Sequence, residues 1–234
     1  KEHNNRKFIS KGHDDRKDQS YVLWGLTQSC LERSSFPLGH FSKTEIRQMA
    51  KDFGYEELSK KAESYEICFV PDNDYRGFLK RRVPGLEESV KGGTFINAQG
   101  EVLGKHEGYP FYTIGQRKGL GGGFLKPMFV TGIIPETNTV VLGEIDELIR
   151  NGMTVGQINM MKYEAITDGM EAATQVRYND GGVMSALHQI GDEVKVEFFA
   201  NVRGIAPGQS AVFYENDDVI GGGIIKNSSF APMS

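Results

Sequence analysis

The chain has 234 residues, of which 38% are hydrophobic, and its formal net charge is −4 at pH 7. This length can bury a core in one large or two small domains, and the absence of a long apolar run predicts neither a membrane span nor export. Two cysteines, Cys30 and Cys68, are too few for a disulfide framework, so we expect a cytoplasmic protein.

Charge by itself indicates no partner. Basic residues outnumber acidic ones 18 to 16 over residues 1–105 and are outnumbered 9 to 15 over residues 106–234. A cluster such as Lys80-Arg81-Arg82 could contact phosphates, but a solvated helix face explains it equally well. The five histidines are scattered without the Cys/His spacing of metal ligands, so we expect no metal site.

Two helices are predicted near the start of the chain. Val22, Leu26 and Cys30 recur every four residues, which predicts a helix capped by Asp18 with Cys30 as a small core residue. A capping box at Ser42-Lys43-Thr44-Glu45 predicts a second helix of about three turns that ends at Gly54. Its expected buried stripe consists of Ile46, Met49, Ala50 and Phe53.

The second cysteine lies in a short apolar run. Ile67 to Val70 reads as a strand that ends at Pro71, and Cys68 inside it can be either a reactive thiol or a small buried hydrophobe. A short helix follows, capped by Asn73 or Asp74 and ended by Pro84-Gly85. Its inward residues are predicted to be Tyr75, Phe78 and Leu79.

Beyond Gly85 the pattern changes to short β-rich runs. Turns at Asn97–Gly100 and Pro135–Asn138 predict two hairpins in a small β domain. Six further strands at short, regular spacing predict a compact antiparallel barrel or sandwich. These strands are Gln157–Met161, Ala173–Tyr178, Met184–His188, Val194–Phe199, Ser210–Tyr214 and Val219–Ile225.

Eight segments of the chain match, in order, the landmarks of one enzyme family. They are Lys17-Asp18-Gln19-Ser20-Tyr21, Phe36-Pro37-Leu38-Gly39, Ser64-Tyr65-Glu66-Ile67-Cys68-Phe69-Val70, Gly104-Lys105-His106-Glu107-Gly108, Tyr112-Thr113-Ile114-Gly115-Gln116-Arg117-Lys118-Gly119-Leu120, Val176-Arg177-Tyr178, Pro207-Gly208-Gln209 and Gly221-Gly222-Gly223. The chain thereby resembles the tRNA-specific 2-thiouridylases, which replace the C2 oxygen of the wobble uridine with sulfur. The resemblance covers nearly the whole chain.

The resemblance implies a sulfurtransferase that uses ATP with Mg²⁺. In the family, an N-terminal ATP-pyrophosphatase domain with a Ser-Gly-Gly-x-Asp-Ser loop adenylates the uridine, and the cysteine that matches Cys68 carries sulfur as a persulfide. An upstream cysteine then forms a disulfide with it. This sequence lacks that loop. We therefore expect the C-terminal part of a longer enzyme, inactive alone, whose partners are the tRNA anticodon region and a sulfur-relay protein or cysteine desulfurase.

The resemblance also implies tRNA contacts, at Lys17, Asp18, Gln19, Arg177, Tyr178 and Gln209. Arginine can fork onto a phosphate or base edge and tyrosine can stack on an unpaired base. Each residue also has a structural interpretation, since Asp18 can cap a helix and Gln209 can be a polar turn residue. The segment Tyr112–Lys118 is open between RNA contact and a structural role.

We therefore predict an α+β fold in four parts. Residues 1–84 are a helical remnant of the adenylating α/β domain and carry Cys68, and residues 85–150 form a small central β domain. Residues 151–228 form a C-terminal antiparallel β-barrel that contacts tRNA, and residues 229–234 are a disordered tail. The alternative is a non-catalytic RNA-binding β-barrel module in which Cys68 is merely buried.

Overall fold

The structure, a computed structural model, describes residues 1–61, 70, 72, 74–121 and 123–229. By internal contacts the chain divides into two compact units, Lys1–Lys61 with Arg150–Ser234, and Ala62–Ile149. This division does not follow the predicted boundary at residue 84, because the first 61 residues group with the C-terminal strands. Among the described residues, no helix has both the length and the apolar character needed to cross a bilayer.

Helices are few and short, and strands dominate. The α-helices are α1 (Gln28–Glu32), α2 (Lys43–Asp52), α3 (Glu56–Lys60), α4 (Tyr75–Arg82) and α5 (Leu86–Ser89), with 3-10 helices at Ser20–Leu23, Tyr109–Phe111, Pro135–Thr137 and Ile145–Leu148. The strands are β1 (Glu2–His3), β2 (Arg6–Lys7), β3 (Gly93–Ile96), β4 (Val102–His106), β5 (Phe129–Ile134), β6 (Thr139–Gly143), β7 (Ile149–Met160), β8 (Met170–Gln175), β9 (Val183–Ile190), β10 (Glu193–Arg203), β11 (Ser210–Glu215) and β12 (Asp218–Ser229). The predicted α+β class is confirmed.

The single helix predicted after Asp18 is wrong. The chain forms the 3-10 helix and then starts α1 at Gln28. The side-chain amide of Asn159 explains the break, because it donates to the carbonyl oxygens of Trp24 at 2.6 Å and Leu26 at 3.1 Å. In a continuous helix those carbonyls would accept backbone amides four residues further on.

The break also moves the predicted apolar stripe. Val22 is 61% exposed and Cys30 is also exposed. The prediction that Cys30 is a small core residue is therefore wrong. Leu31 is buried instead. The recurrence of apolar residues every four positions thus correctly predicted helical turns here, but it assigned Val22 and Cys30 wrongly to the core.

The capping box of α2 is confirmed, but its buried stripe is not. The Ser42 hydroxyl accepts the Glu45 amide, and the Glu45 carboxylate accepts the Ser42 amide at 2.7 Å. No residue of α2 is buried, and Phe53, which follows it, is 73% exposed. Helix α4 is likewise confirmed with Asp74 as its cap, although Tyr75 is exposed rather than inward.

Both predicted hairpins are confirmed in the second unit. Strand β3 pairs with β4, and β5 pairs with β6, each antiparallel. A parallel pairing of β3 with β6 joins them into a four-stranded sheet in the order β4-β3-β6-β5. Val130, Val140 and Leu142 are fully buried on this sheet, which gives the unit its own apolar core.

The predicted barrel is confirmed as a closed one. Its strand order is β10-β7-β12-β11-β8-β9, and all six predicted strands belong to it. Side chains of β10 alternate between core and solvent, as expected when one face of the sheet is buried. Strand β12 reaches Ser229, one residue into the predicted tail, and residues 230–234 lie outside the described residues.

The glycine landmark of β12 is explained by close packing. A Cβ atom on Gly222 would lie 2.8 Å from the Ala211 carbonyl oxygen and 2.9 Å from the Trp24 ring. A Cβ atom on Gly223 would lie 2.6 Å from the Gly156 carbonyl oxygen. Only glycine lets the neighbouring backbone and the Trp24 ring come this near.

The start of the chain packs on the outside of this barrel. A second apolar cluster combines N-terminal residues such as Phe8 and Tyr21 with barrel residues such as Val212 and Tyr214. The Arg6 guanidinium adds hydrogen bonds to the carbonyl oxygens of Met160 at 2.7 Å and Met161 at 3.0 Å. The N-terminal residues are therefore an integral layer of the first unit.

Candidate nucleic-acid interface

The predicted persulfide residue, Cys68, lies outside the described residues. A well-capped helix follows this stretch, since the Asp74 carboxylate accepts the Gly77 amide at 2.8 Å at the start of α4. Asp72 accepts the Asp74 amide at 3.1 Å and the Arg81 guanidinium at 3.0 Å. These two hydrogen bonds lower the pKa of Asp72, the one from Asp74 most.

The segment Lys17-Asp18-Gln19 is shaped by its own carboxylate. One oxygen of Asp18 accepts the Gly12 amide at 2.8 Å, and the other accepts the Ser20 hydroxyl at 2.5 Å and the Ser20 amide at 3.3 Å. Such carboxylate-to-backbone bonds define a turn. The side chains of Lys17 and Gln19 are exposed beside it, so they form the outward polar surface of the segment.

Arg177 and Tyr178 follow the end of β8. The Arg177 guanidinium donates to the Arg203 carbonyl oxygen at 2.6 Å, and both Arg177 and Tyr178 are exposed. The Tyr178 hydroxyl donates to the Asp18 carbonyl oxygen at 2.8 Å, which ties this strand end to the first segment across 160 residues of sequence. Its ring is 44% exposed and can still meet a ligand.

Gln209 lies in the turn that leads into β11. Gly208 adopts a φ of +85°, a conformation that glycine tolerates best, and the Gln209 amide donates to the Ala206 carbonyl oxygen at 3.2 Å. The Gly208 amide donates to the Ile225 carbonyl oxygen at 2.9 Å, and the Ile225 amide donates to the Gln209 carbonyl oxygen at 2.8 Å. These two bonds attach the turn to β12. The Gln209 side chain is exposed.

The three segments lie at one end of the barrel. Antiparallel pairing of β8 with β11 brings the end of β8 beside the start of β11, so Arg177-Tyr178 and the Gln209 turn are neighbours. We call Lys17–Gln19, Arg177–Tyr178 and Pro207–Gln209 the barrel-end surface. Sequence reasoning found these residues but missed Tyr21, whose hydroxyl donates to the Ser210 carbonyl oxygen at 2.8 Å. The only sequence signal for it is its position within the Lys17–Tyr21 landmark.

In the segment Tyr112–Lys118, most side chains have structural roles. Tyr112 is buried with its ring edge-on to Phe95, at a centroid distance of 5.3 Å. The Gln116 side chain accepts the Thr113 amide at 3.0 Å and donates to the Lys118 carbonyl oxygen at 2.9 Å. Its exposed side chains are Thr113 and the cations Arg117 and Lys118, and these two cations could reach an RNA phosphate.

His106, in another landmark, is a core residue of the second unit. It is buried beside Phe95 and Tyr112, and its Nδ1 accepts the Gly108 amide at 3.0 Å. Burial lowers the pKa of His106, so the ring is neutral at neutral pH. Within the described ranges, no group of three or more His, Cys, Asp or Glu side chains is arranged to hold a metal ion.

Three family models match consecutive parts of the chain. They are described as the tRNA methyl transferase HUP domain, over residues 1–72, the tRNA methyl transferase PRC-barrel domain, over residues 76–144, and the aminomethyltransferase beta-barrel domain, over residues 150–225. The third range corresponds to the closed barrel. The second contains the four-stranded sheet.

Curated relatives extend this match over almost the entire chain. A tRNA-specific 2-thiouridylase of Cytophaga hutchinsonii is 61% identical over 96% of the chain, and one of Amoebophilus asiaticus is 57% identical over 98%. A third, from Salinibacter ruber, is 51% identical over 94%. The chain spans about three-fifths of the length of these relatives, 61% of the first two and 58% of the third. With this identity along its whole length, the chain belongs to the family of the tRNA-specific 2-thiouridylases.

Proposed function

We propose that the chain is the tRNA-binding and sulfur-carrying part of a tRNA-uridine 2-sulfurtransferase. The observation that carries this proposal is the convergence of three segments, distant in sequence, on the barrel-end surface. The contact between Tyr178 and Asp18 joins two of them directly. Family resemblance alone identifies each segment as a tRNA contact. Their proximity in the fold therefore supports the proposed tRNA site independently.

The side chains of the barrel-end surface suit an unpaired RNA loop. Arg177 offers a planar set of donors to a phosphate or a base edge, and the half-exposed ring of Tyr178 offers a stacking platform. Gln19 and Gln209 offer amides that can both donate and accept. The Asp18 carboxylate is saturated by bonds to its own chain, so its part in binding is to shape the segment.

In the proposed reaction, Cys68 delivers sulfur as a persulfide. The terminal sulfur of Cys68 attacks C2 of an adenylated uridine, the bond from C2 to oxygen breaks, and AMP leaves. A second cysteine thiolate then attacks the Cys68 sulfur, which releases the thiolated base and leaves a disulfide. That disulfide is reduced by a thiol, and a sulfur-relay protein or cysteine desulfurase supplies the next persulfide.

Adenylation requires ATP and Mg²⁺, and the glycine-rich stretch of this chain does not fit a phosphate. The glycines between Gly119 and Gly123 lead into β5 rather than into a helix N-terminus, which is the usual phosphate cradle. We therefore assign no step with ATP to this chain. In the proposal, ATP is bound by a part of the enzyme outside these 234 residues.

The proposal divides the chain into parts with separate roles. Residues 1–84, with Cys68, belong to the adenylating domain, residues 85–150 form the central β domain, and residues 151–228 form the tRNA-contacting barrel. The barrel-end surface draws on the first and third of these parts. The contacts of Tyr178 and Tyr21 are therefore the links through which the barrel and the adenylating domain would bind one tRNA.

Binding of tRNA by the chain tests the proposal. We expect Arg177→Ala to raise the Kd for a tRNA transcript with an unmodified wobble uridine about tenfold and to reduce the salt dependence of binding. The matched control is Lys195→Ala on β10, which removes an exposed cation paired with Glu197 away from the barrel-end surface. Equal Kd values for the two variants, or no binding by the wild-type chain, would contradict the proposal.

Sulfur transfer by the whole enzyme tests the role of Cys68. We expect Cys68→Ser to abolish thiolation and Cys30→Ser to leave it near the wild-type rate, because exposed Cys30 has no assigned step. Mass spectrometry of the tRNA nucleosides measures the product. If both variants lost activity equally, or if the present chain alone thiolated tRNA, the assignment would be wrong.

A further inference from the structure

The third segment of the barrel-end surface, the Gln209 turn, is held differently from the other two. The Tyr178 hydroxyl binds the Asp18 carbonyl oxygen, whereas the backbone bonds of the Gln209 turn are made within the turn and to Ile225 of β12. The pairing of β11 with β8 brings the turn near Arg177–Tyr178. A contact with the 3-10 helix that follows Gln19 would link the turn to the Lys17–Gln19 segment as well.

Tyr21 is placed to make that connection. It belongs to the 3-10 helix Ser20–Leu23, which begins directly after Gln19. Its ring stands edge-on to the Tyr178 ring, with centroids 6.3 Å apart and an angle of 69° between the planes. Its hydroxyl donates to the carbonyl oxygen of Ser210, the residue after Gln209, at 2.8 Å. The Tyr21 side chain therefore contacts Tyr178 and the residue that follows Gln209, and its helix follows Gln19 along the chain.

Trp24, which follows the 3-10 helix, also contacts Ser210. The Trp24 indole donates to the Ser210 hydroxyl at 2.9 Å, so Ser210 is held by two side chains of the same 3-10 segment and its cap. The Trp24 ring lies against Gly222, where any larger residue would collide with it. This packing places Trp24, the residue that follows the 3-10 helix, directly against β12.

The environment of Tyr21 keeps its hydroxyl a donor. The side chain is only 7% exposed, and burial, followed by the negative charge of Asp180, raises its pKa to about 12. The positive charge of Arg177 acts in the opposite direction and is the weaker influence. The hydroxyl therefore holds its proton at neutral pH, although being buried it cannot itself contact RNA.

From these contacts we infer that Tyr21 is a positioning residue for tRNA recognition, which sets the distance from the Gln209 turn to the Lys17–Gln19 and Arg177–Tyr178 segments. This inference rests on the proposed function, because it assumes that those segments bind tRNA. It gives the last residue of the Lys17–Tyr21 landmark a role that differs from that of its first three residues. In the proposal, Lys17 and Gln19 face the tRNA and Asp18 shapes their segment, whereas Tyr21 holds the Gln209 turn from a buried position.

The test is a double-mutant cycle on tRNA binding by the 234-residue chain. Tyr21→Phe keeps the ring and removes only the bond to Ser210, and we expect it to raise the Kd for the tRNA transcript about fivefold. If Tyr21 acts through the turn, adding Tyr21→Phe to Gln209→Ala should raise the Kd by less than twofold beyond Gln209→Ala alone. If Tyr21 only stabilises the fold, the factors by which Tyr21→Phe and Gln209→Ala raise the Kd should multiply in the double variant.

The matched control is Tyr163→Phe, which also removes one tyrosine hydroxyl from the first unit. That hydroxyl binds Glu215 at 2.9 Å and contacts none of the three segments, so the Kd should stay at the wild-type value. The inference is overturned if Tyr21→Phe binds like wild type, if its effect multiplies with that of Gln209→Ala, or if the variant fails to fold. Tight binding that Arg177→Ala does not weaken would instead refute the proposed function.

Discussion

Two stretches of the first unit, both N-terminal to the barrel strands, differ in how far their apolar side chains are buried. Residues 1–32, which we call the docked segment, bury Phe8, Tyr21 and Leu31 against the barrel. Residues 36–60, which contain α2 and α3, leave large apolar side chains exposed. These are Phe36, Leu38, Phe41, Phe53, Tyr55 and Leu58. Amphipathic pattern alone therefore does not determine burial, since the partner surface must also be present.

Polar contacts show the same contrast. Arg6 of the docked segment donates to the Met160 carbonyl oxygen, and Asn159 of β7 donates to the Trp24 carbonyl oxygen. Beside this interface, Lys162 forms ion pairs with Glu215 at 2.5 Å and Asp218 at 2.7 Å, and Asp218 also binds Ser10 of the docked segment. The bonds of α2 are local, as in its capping box and the bond from Gln48 to Asp52. Local bonds define a helix without fixing it to the rest of the fold.

Truncation of one phenylalanine in each stretch tests the contrast most strongly. We expect Phe8→Ala, at a side chain 5% exposed, to lower the free energy of unfolding by about 4 kcal/mol. The matched variant Phe53→Ala should change it by less than about 0.5 kcal/mol, because that side chain is 73% exposed. Urea unfolding followed by circular dichroism measures both, and similar losses would refute the contrast.

Loss of Lys162, whose ammonium lies 5.2 Å from the centre of the Phe8 ring of the docked segment, should have a smaller effect. Lys162→Met removes the cation that Glu215 and Asp218 share, at a site where the lysine side chain is 11% exposed, and we expect a loss of about 3 kcal/mol. Lys195→Met, which breaks an exposed pair, should cost less than about 1 kcal/mol. Equal effects in urea unfolding would mean that burial does not strengthen the Lys162 cluster.

Acid should weaken the docked segment more modestly still. Burial opposes ionisation of Asp218, but hydrogen bonds from Lys162, Ser10 and Lys1 lower its pKa to about 2. A lowered pKa means that this stabilisation is complete above about pH 4 and is lost as the pH falls through 2, by about 2 kcal/mol. Melting temperatures between pH 5 and pH 2 measure it, and Asp218→Asn should reduce the slope. An unchanged slope would assign the acid sensitivity to other carboxylates.

Local signals in the sequence predicted much of the fold. The turns at Asn97–Gly100 and Pro135–Asn138 predicted two hairpins, and the short, regular spacing of β-rich runs predicted all six barrel strands. The helix after Asp18 could not be excluded, because Asn159, which interrupts it, lies more than 130 residues away. The exposure of Phe53 was equally unpredictable, since a stripe of apolar residues does not show whether another surface covers it.

The candidate site was predictable in its residues but not in its arrangement. Resemblance selected Lys17–Gln19, Arg177–Tyr178 and Gln209, yet no spacing in the sequence indicates that the Tyr178 hydroxyl binds the Asp18 carbonyl oxygen. Tyr21 was missed for the same reason, because its partner Ser210 is 189 residues away. Long-range hydrogen bonds depend on how the strands are ordered around the barrel, and local pattern does not encode that order.

Amide hydrogen exchange with and without tRNA would show directly whether the barrel-end surface binds tRNA. We expect slower exchange on binding in peptides that cover residues 17–21, 177–178 and 207–210, with little change in α2 and α3. Protection of α2 and α3 without protection of the barrel-end surface would contradict it. That result would show that tRNA uses the exposed apolar stretch and that the convergence of the three segments has another purpose.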